Sequence, residues 1–175
     1  MAGIVPLAVW IAFDVWQGVP TSAMPAALTG AGPAQRALWI ALRAIAACTT
    51  VPIASGESEI HSNVVRDQID LGGIRYVQWD CTRAGGLTEG LRIAAYALAH
   101  GVQIAYHHDP QVHGPLMAAQ SHGFCVESFP SIPRDPFWHH VLTKKPELAA
   151  GKVTMTDDPG FGVEVDWKMV QKYRI

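Results

Sequence analysis

Two spacings of hydrophobic and polar positions alternate along this chain from about residue 36 onward. Between Arg36 and Ala47, Ala, Leu, Trp and Ile recur at helical intervals, which predicts a helix. Val51-Pro52-Ile53-Ala54-Ser55 is a short apolar strand that closes on Gly56-Glu57. From His61 to Leu71 the residues Val64, Val65 and Ile69 return at helical spacing, and Gly72-Gly73 ends the segment. Ile74 to Trp79 is the next strand and delivers Asp80. Thr88 to His100 is a helix with Leu91, Ala94, Ala95 and Leu98 on its apolar face, Thr88 as N-cap and Gly101 as stop. Val102 to Tyr106 is a third strand, closing on His107-His108, and Gly114 to His122 is a short Ala-rich helix stopped by Gly123. Phe124-Cys125-Val126 then leads to Glu127.

The order is strand, helix, strand, helix, strand, helix, strand. Crossovers long enough for helices predict parallel strands in an α/β fold. Glu57, Asp80, His107 and Glu127 then sit at the ends of four parallel strands, on one rim. That rim is where (β/α) folds place their chemistry. Four βα units make half of a TIM-type barrel. After Pro130 the pattern becomes irregular, and Asp157-Asp158-Pro159-Gly160-Phe161-Gly162-Val163 has loop composition, so an irregular C-terminal extension is expected.

Composition changes the picture mainly at the N-terminus. At 175 residues the chain is long enough for one domain with a core. The first fifty residues carry only Asp14, Arg36 and Arg43 as charged residues and are rich in Ala, Pro and Trp. Residues 1–44 therefore read as an atypical apolar segment with at most one helix, and 45–175 as the partial barrel. Met1–Ala23 lacks a basic leader region and Asp14 interrupts it, which argues against a signal peptide. Pro6, Asp14, Gln17 and Pro20 break any stretch long enough to span a membrane. A net charge of −2 without a basic run argues against a nucleic-acid partner. Cys48, Cys81 and Cys125 fit neither zinc nor disulfide spacing, so a reducing cytoplasm is the expected location.

The rim residues carry candidate chemistry. Glu57 alone reads as a loop acid, but beside other rim acids it is a candidate ligand for Mg²⁺, which takes hard carboxylate oxygens. Asp80 and His107 end adjacent strands, and a carboxylate against an imidazole fixes its tautomer and strengthens it as a base. Glu127, at a fourth strand end, is placed to donate a proton. Glu59 reads as solvent-facing. His107, His108, His113, His122, His139 and His140 match no zinc spacing, which argues against a histidine-based metal module. Gly85-Gly86 lacks the dinucleotide-binding glycine pattern.

Three stretches together resemble the enolase superfamily: Pro52-Ile53-Ala54-Ser55-Gly56-Glu57, Gln78-Trp79-Asp80-Cys81-Thr82-Arg83-Ala84-Gly85-Gly86-Leu87-Thr88-Glu89, and Tyr106-His107. The resemblance is to the mandelate racemase / muconate lactonizing enzyme group and, within it, to sugar-acid dehydratases. Asp158-Pro159-Gly160-Phe161-Gly162-Val163-Glu164-Val165-Asp166 is similar to that group's closing segment. It covers residues 45–175 and implies the C-terminal half of the barrel. The implied chemistry is Mg²⁺-dependent removal of the proton α to a carboxylate, with sugar-acid dehydration first and racemisation or cycloisomerisation as the alternative. By resemblance Glu57 is the last of three carboxylate ligands to Mg²⁺. His107 exchanges the proton, Asp80 orients it, and Glu127 hydrogen-bonds the substrate carboxylate. Arg83 sits where the group often has a basic residue. A small-molecule sugar acid is the implied partner, and a homo-oligomer is expected.

The departures are as specific. Relatives of this kind carry earlier βα units with two further metal ligands and often a lysine base. Here the stretch expected to hold the preceding ligand reads Thr29-Gly30-Ala31-Gly32-Pro33. No Glu precedes Glu57 and no Lys precedes Lys144. A truncated or frame-shifted product accounts for residues 1–36, with a divergent N-terminus as the other reading. An inactive fragment lacking the other ligands is the non-enzyme alternative.

Overall fold

Helix α1 (Pro33–Cys48) opens the structure, a computed structural model that describes residues 32–129 and 131–174. Residues 1–31, with the expectations about a leader, a span and most of the atypical segment, lie outside the described residues. α1 starts with a proline in its first turn, where the missing N–H has no partner to lose. Its Trp39 and Leu42 are buried in the same core cluster as Val65, Val77, Trp79 and Ile104. The division drawn at residue 44 thus falls inside a helix that packs on the sheet domain.

Strand β1 (Ala54–Ser55), helix α2 (Ser62–Leu71), strand β2 (Tyr76–Val77), helix α3 (Gly86–Ala99), strand β3 (Gln103–Tyr106), helix α4 (Pro110–Ala118) and strand β4 (Gly123–Val126) follow in turn. The four strands form one parallel sheet in the order β1-β2-β3-β4. Chain order equals sheet order, with a helix in every crossover, as in consecutive units of a TIM-type barrel. The labelled strands are shorter than the apolar runs, but pairing extends past them: Arg75 N–H donates to Ile53 O and Gln78 N–H to Ser55 O. α2 buries Val64, Val65, Gln68 and Ile69, and Gly72, at φ 78°, donates its N–H to Ile69 O to end the helix.

α3 differs from expectation in two ways. It begins at Gly86 with Gly85 as N-cap, so Thr88 lies inside the helix and caps nothing. Its buried face is Gly90, Ile93, Ala94 and Ala97, while Leu91 and Leu98 are exposed. The buried face is thus shifted by about one position, and it sets Gly90 against Cys81, where a Cβ would stand 2.5 Å from the Cys81 Sγ. α4 begins four residues earlier than the Ala-rich pattern suggests, with a proline in its first turn.

The C-terminal extension is more ordered than its sequence pattern indicates. A single π-helical turn (Phe137–Val141) leads into β5 (Leu142–Lys144), which pairs antiparallel with β8 (Glu164–Val165). β6 (Glu147–Ala149) and β7 (Lys152–Thr154) form a hairpin across Ala150-Gly151, both at positive φ as a two-residue hairpin turn requires. Helix α5 (Trp167–Lys172) is capped by the Asp166 carboxylate, which accepts from Lys168 N and Met169 N.

Candidate active site

The four parallel strands bring Glu57, Asp80, His107 and Glu127 to one rim. His107 follows the last residue of β3 directly, and its N–H donates to Trp79 O (3.1 Å), which fixes it opposite the end of β2. Glu127 follows β4 and donates its N–H to Tyr106 O (2.9 Å). With that register His107 Nδ1 lies 3.0 Å from Asp80 Oδ2.

Asp80 is buried, and burial alone would raise its pKa. Hydrogen bonds from His107 and from the Thr82 hydroxyl and amide outweigh that and hold it at about 2. The Thr82 N–H donates to Asp80 Oδ1 at 2.8 Å, and the Thr82 Oγ1 lies 2.7 Å from the same atom. An ionised carboxylate only accepts, so the proton of the neutral imidazole sits on Nδ1 and Nε2 is bare. That nitrogen lies 3.4 Å from Glu57 Oε2 and 3.4 Å from Glu127 Oε2. Burial pushes the His107 pKa down, but the Asp80 hydrogen bond and the charges of Glu57, Glu127 and Asp80 carry it above the ordinary value. The ring is therefore a strengthened base with its lone pair directed to the rim.

Glu57 is also raised. Burial dominates, the charges of Glu127 and Asp80 add to it, and His107 and Arg83 act in the opposite sense. Arg83 Nη1 bonds the Glu57 main-chain oxygen (3.4 Å), not its carboxylate. Gln78 Nε2 donates to Glu127 Oε2 (3.4 Å). Ligand atoms of Glu57, His107 and Glu127 all lie within 4.8 Å of one another, and among the described residues they are the group able to hold a metal ion. Two hard carboxylate oxygens and a surplus of negative charge suit a small divalent cation in kind. Their number does not fill an octahedral shell. Of the other histidines, His139 bonds Phe129 O, His140 bonds Tyr173, and none joins this group.

Two residues escaped the sequence reading. Glu59, expected at the surface, is buried beneath α1, where its carboxylate accepts from Gln35 Nε2. Burial pushes its pKa up to about 7, against that bond and the nearby Trp39 indole, whose N–H has no partner in good geometry. Gln35 and Trp39 lie four apart on α1, a helical interval that marks a shared face. The second is His113, which is fully buried beside Asp80. The Asp109-Pro110 pair, a helix-opening signal, would have placed it inside α4 and not before it. Two cavities lie away from this rim, about 140 Å³ between α2 and α3 and about 270 Å³ beside Ile53 and Gly73. The rim is marked by its chemistry.

Comparison with known proteins converges on one group. Residues 33–169 match the family described as "Enolase C-terminal domain-like". The D-galactonate dehydratase of Xanthomonas euvesicatoria pv. vesicatoria is 29% identical over 142 residues, covering 73% of this chain and 36% of that protein. A mandelate racemase/muconate lactonizing enzyme from a marine actinobacterium, solved in complex with magnesium, superposes with a TM-score of 0.72 at 34% identity, covering 78% of this chain and 38% of that one. The L-talarate dehydratase of Polaromonas sp. JS666, solved with Mg and L-glucarate, gives a TM-score of 0.67 at 26% identity, covering 76% and 36%. The chain thus spans about a third of the length of the curated relatives it matches. With its parallel sheet matched to these barrels and its family segment running from α1 to α5, this chain belongs to the enolase C-terminal domain-like family, in the mandelate racemase/muconate lactonizing enzyme group.

Proposed function

We propose that this rim removes the proton α to the carboxylate of a sugar acid, as the first half of a Mg²⁺-dependent dehydration. The observation that carries the reading is the placement of His107: Nδ1 is bonded to Asp80 at 3.0 Å, and bare Nε2 lies among two further carboxylates. Nε2 takes the proton, and the imidazolium so formed is stabilised by Asp80, Glu57 and Glu127. Asp80 holds the ring in the tautomer that leaves Nε2 free. The same imidazolium then protonates a departing β-hydroxyl, so that water leaves and the proton count closes. Glu127, oriented by Gln78, is the hydrogen-bonding partner for the substrate carboxylate. Glu57 is the metal ligand, and bound Mg²⁺ supplies the positive charge that stabilises the anion developing on that carboxylate. An aldonic acid such as the D-galactonate of the named relative is the substrate class; racemisation uses the same first step. Cys48 and Cys125, exposed thiols, fit a reducing cytoplasm.

The only acid before Glu57 in this sequence is Asp14. One carboxylate holds Mg²⁺ weakly, since the ion gives up water reluctantly and demands near-octahedral placement. Losing about 4 kcal/mol of anion stabilisation costs roughly a thousandfold in rate. The chain on its own is therefore expected to show no turnover. The experiment incubates it with Mg²⁺ and a panel of aldonic and aldaric acids, following 2-keto acid formation and α-deuterium uptake from solvent. The assay is repeated with the preceding part of the Xanthomonas dehydratase co-expressed to supply further ligands. Exchange is expected only in the second arm and should vanish in His107→Asn. Exchange that survives that substitution contradicts the assignment of the base.

A further inference from the structure

Asp80 and His107 stand on two different strands, so their bond depends on a fixed separation of the two strand ends. One buried side chain bridges them. His113, on α4, accepts the Cys81 N–H at Nε2 (2.9 Å) and faces the His108 carbonyl oxygen with Nδ1 (2.6 Å). Cys81 follows Asp80, and His108 follows His107. We propose that His113 is a positioning residue: a neutral imidazole strut that ties the residue after Asp80 to the residue after His107 and thereby sets the geometry of the proton-transfer pair. The inference rests on the reading of Asp80 and His107 as that pair.

The two bonds dictate the ring's state. A main-chain N–H can only donate, so Nε2 must be bare; a carbonyl can only accept, so Nδ1 must carry the proton. The opposite tautomer sets donor against donor and acceptor against acceptor, and a doubly protonated ring has nothing to offer Cys81. Burial favours the neutral form and lowers the pKa of His113, although the bond to His108 O and the charges of Asp80 and Asp109 act the other way. The ring plane is fixed as well: it stacks on Tyr106 at 5.0 Å between centroids and 9° between planes. Its backbone is anchored by His113 N–H donating to Asp109 O (2.9 Å). His108 and Asp109 both take positive φ, 51° and 46°, a conformation uncommon outside glycine. The bond to His113 engages the carbonyl of the first of these two residues. Thr82 adds a second tie between the loops, its hydroxyl lying 2.7 Å from Asp80 Oδ1 and 3.0 Å from Asp109 Oδ2. A packing role alone would need only a flat ring; the strut needs a donor and an acceptor at opposite ends.

The test is ¹⁵N-edited NMR of the imidazoles in the full chain. The wild type should show His113 as the neutral Nδ1–H tautomer at neutral pH. It should also show the His107 Nδ1 proton at the downfield position of a carboxylate-bound imidazole. In His113→Phe, which keeps a ring against Tyr106 and loses both bonds, the downfield His107 resonance is expected to disappear while the far-ultraviolet dichroism is retained. His113→Gln, which restores an acceptor, is expected to recover part of it. An unchanged His107 resonance in folded His113→Phe overturns the strut and leaves the functional reading intact. A wild type without that resonance overturns the pair itself and the strut with it. Should His113→Phe fail to fold, the wild-type tautomer decides: an Nε2–H or doubly protonated His113 overturns the inference.

Discussion

Asp80 stays ionised in a buried position because its bonds to His107 and Thr82 outweigh the cost of leaving water. Its folded-state pKa of about 2 lies below the ordinary 3.8. An acid depressed on folding stabilises the folded state above its unfolded pKa, and that contribution is lost as pH falls through the folded value. The difference amounts to about 2 kcal/mol. Wild type should therefore exceed Asp80→Asn in unfolding free energy by about that much above about pH 4. The gap should close as pH falls toward about 2, as measured by urea unfolding at each pH. A gap independent of pH would mean that Asp80 is not held as an anion. The strand-end acids and His107 were legible in sequence because each closes an apolar run, and parallel strands carry all such endings to one rim. Glu59 and His113 were not. What buries each is contact with a distant segment, α1 over Glu59 and the Cys81 loop against His113, and no local spacing encodes it.

At the scale of elements, the sequence reading found every helix and strand of the parallel sheet, and erred where tertiary contact overrides local pattern. The apolar residues of α3 at Leu91 and Leu98 suggested its inner face, but Gly90, Ile93, Ala94 and Ala97 are turned inward, with Gly90 set close against Cys81. The helical contacts of α1 are equally specific. Gly73, at φ +97°, lies where a Cβ would stand 2.6 Å from the Arg43 Cα, so a side chain there meets helix backbone that cannot swing aside. Gly101 shares a positive φ, +66°, and faces open space. Gly101→Ala should cost about 1 kcal/mol from backbone strain alone. Gly73→Ala should cost about 2–4 kcal/mol, since displacement of α1 adds to strain. Urea midpoints at unchanged slope measure both. Equal costs would show that α1 does not pack against this turn.

Across the whole molecule, β1 and β4 each pair on one side only among the described residues. α3 also exposes Leu87, Leu91 and Leu98 at helical intervals. Unpaired parallel edges and an uncovered apolar stripe favour association, so sedimentation of the chain at tens of micromolar should show self-association, and a sharp monomer would count against it. The extension after Glu127 was the least legible part, since its short antiparallel pairs and π-helical turn carry too few residues for a periodic signal. The chemistry proposed for the rim depends on a divalent cation sitting beside the base. Paramagnetic Mn²⁺ tests this directly in the chain as it is. Titrated into labelled protein, it should broaden resonances of Glu57, His107 and Glu127 first, be displaced by Mg²⁺, and lose that localisation in Glu57→Gln. Broadening centred elsewhere, or unchanged by Glu57→Gln, would contradict a metal-assisted site at this rim.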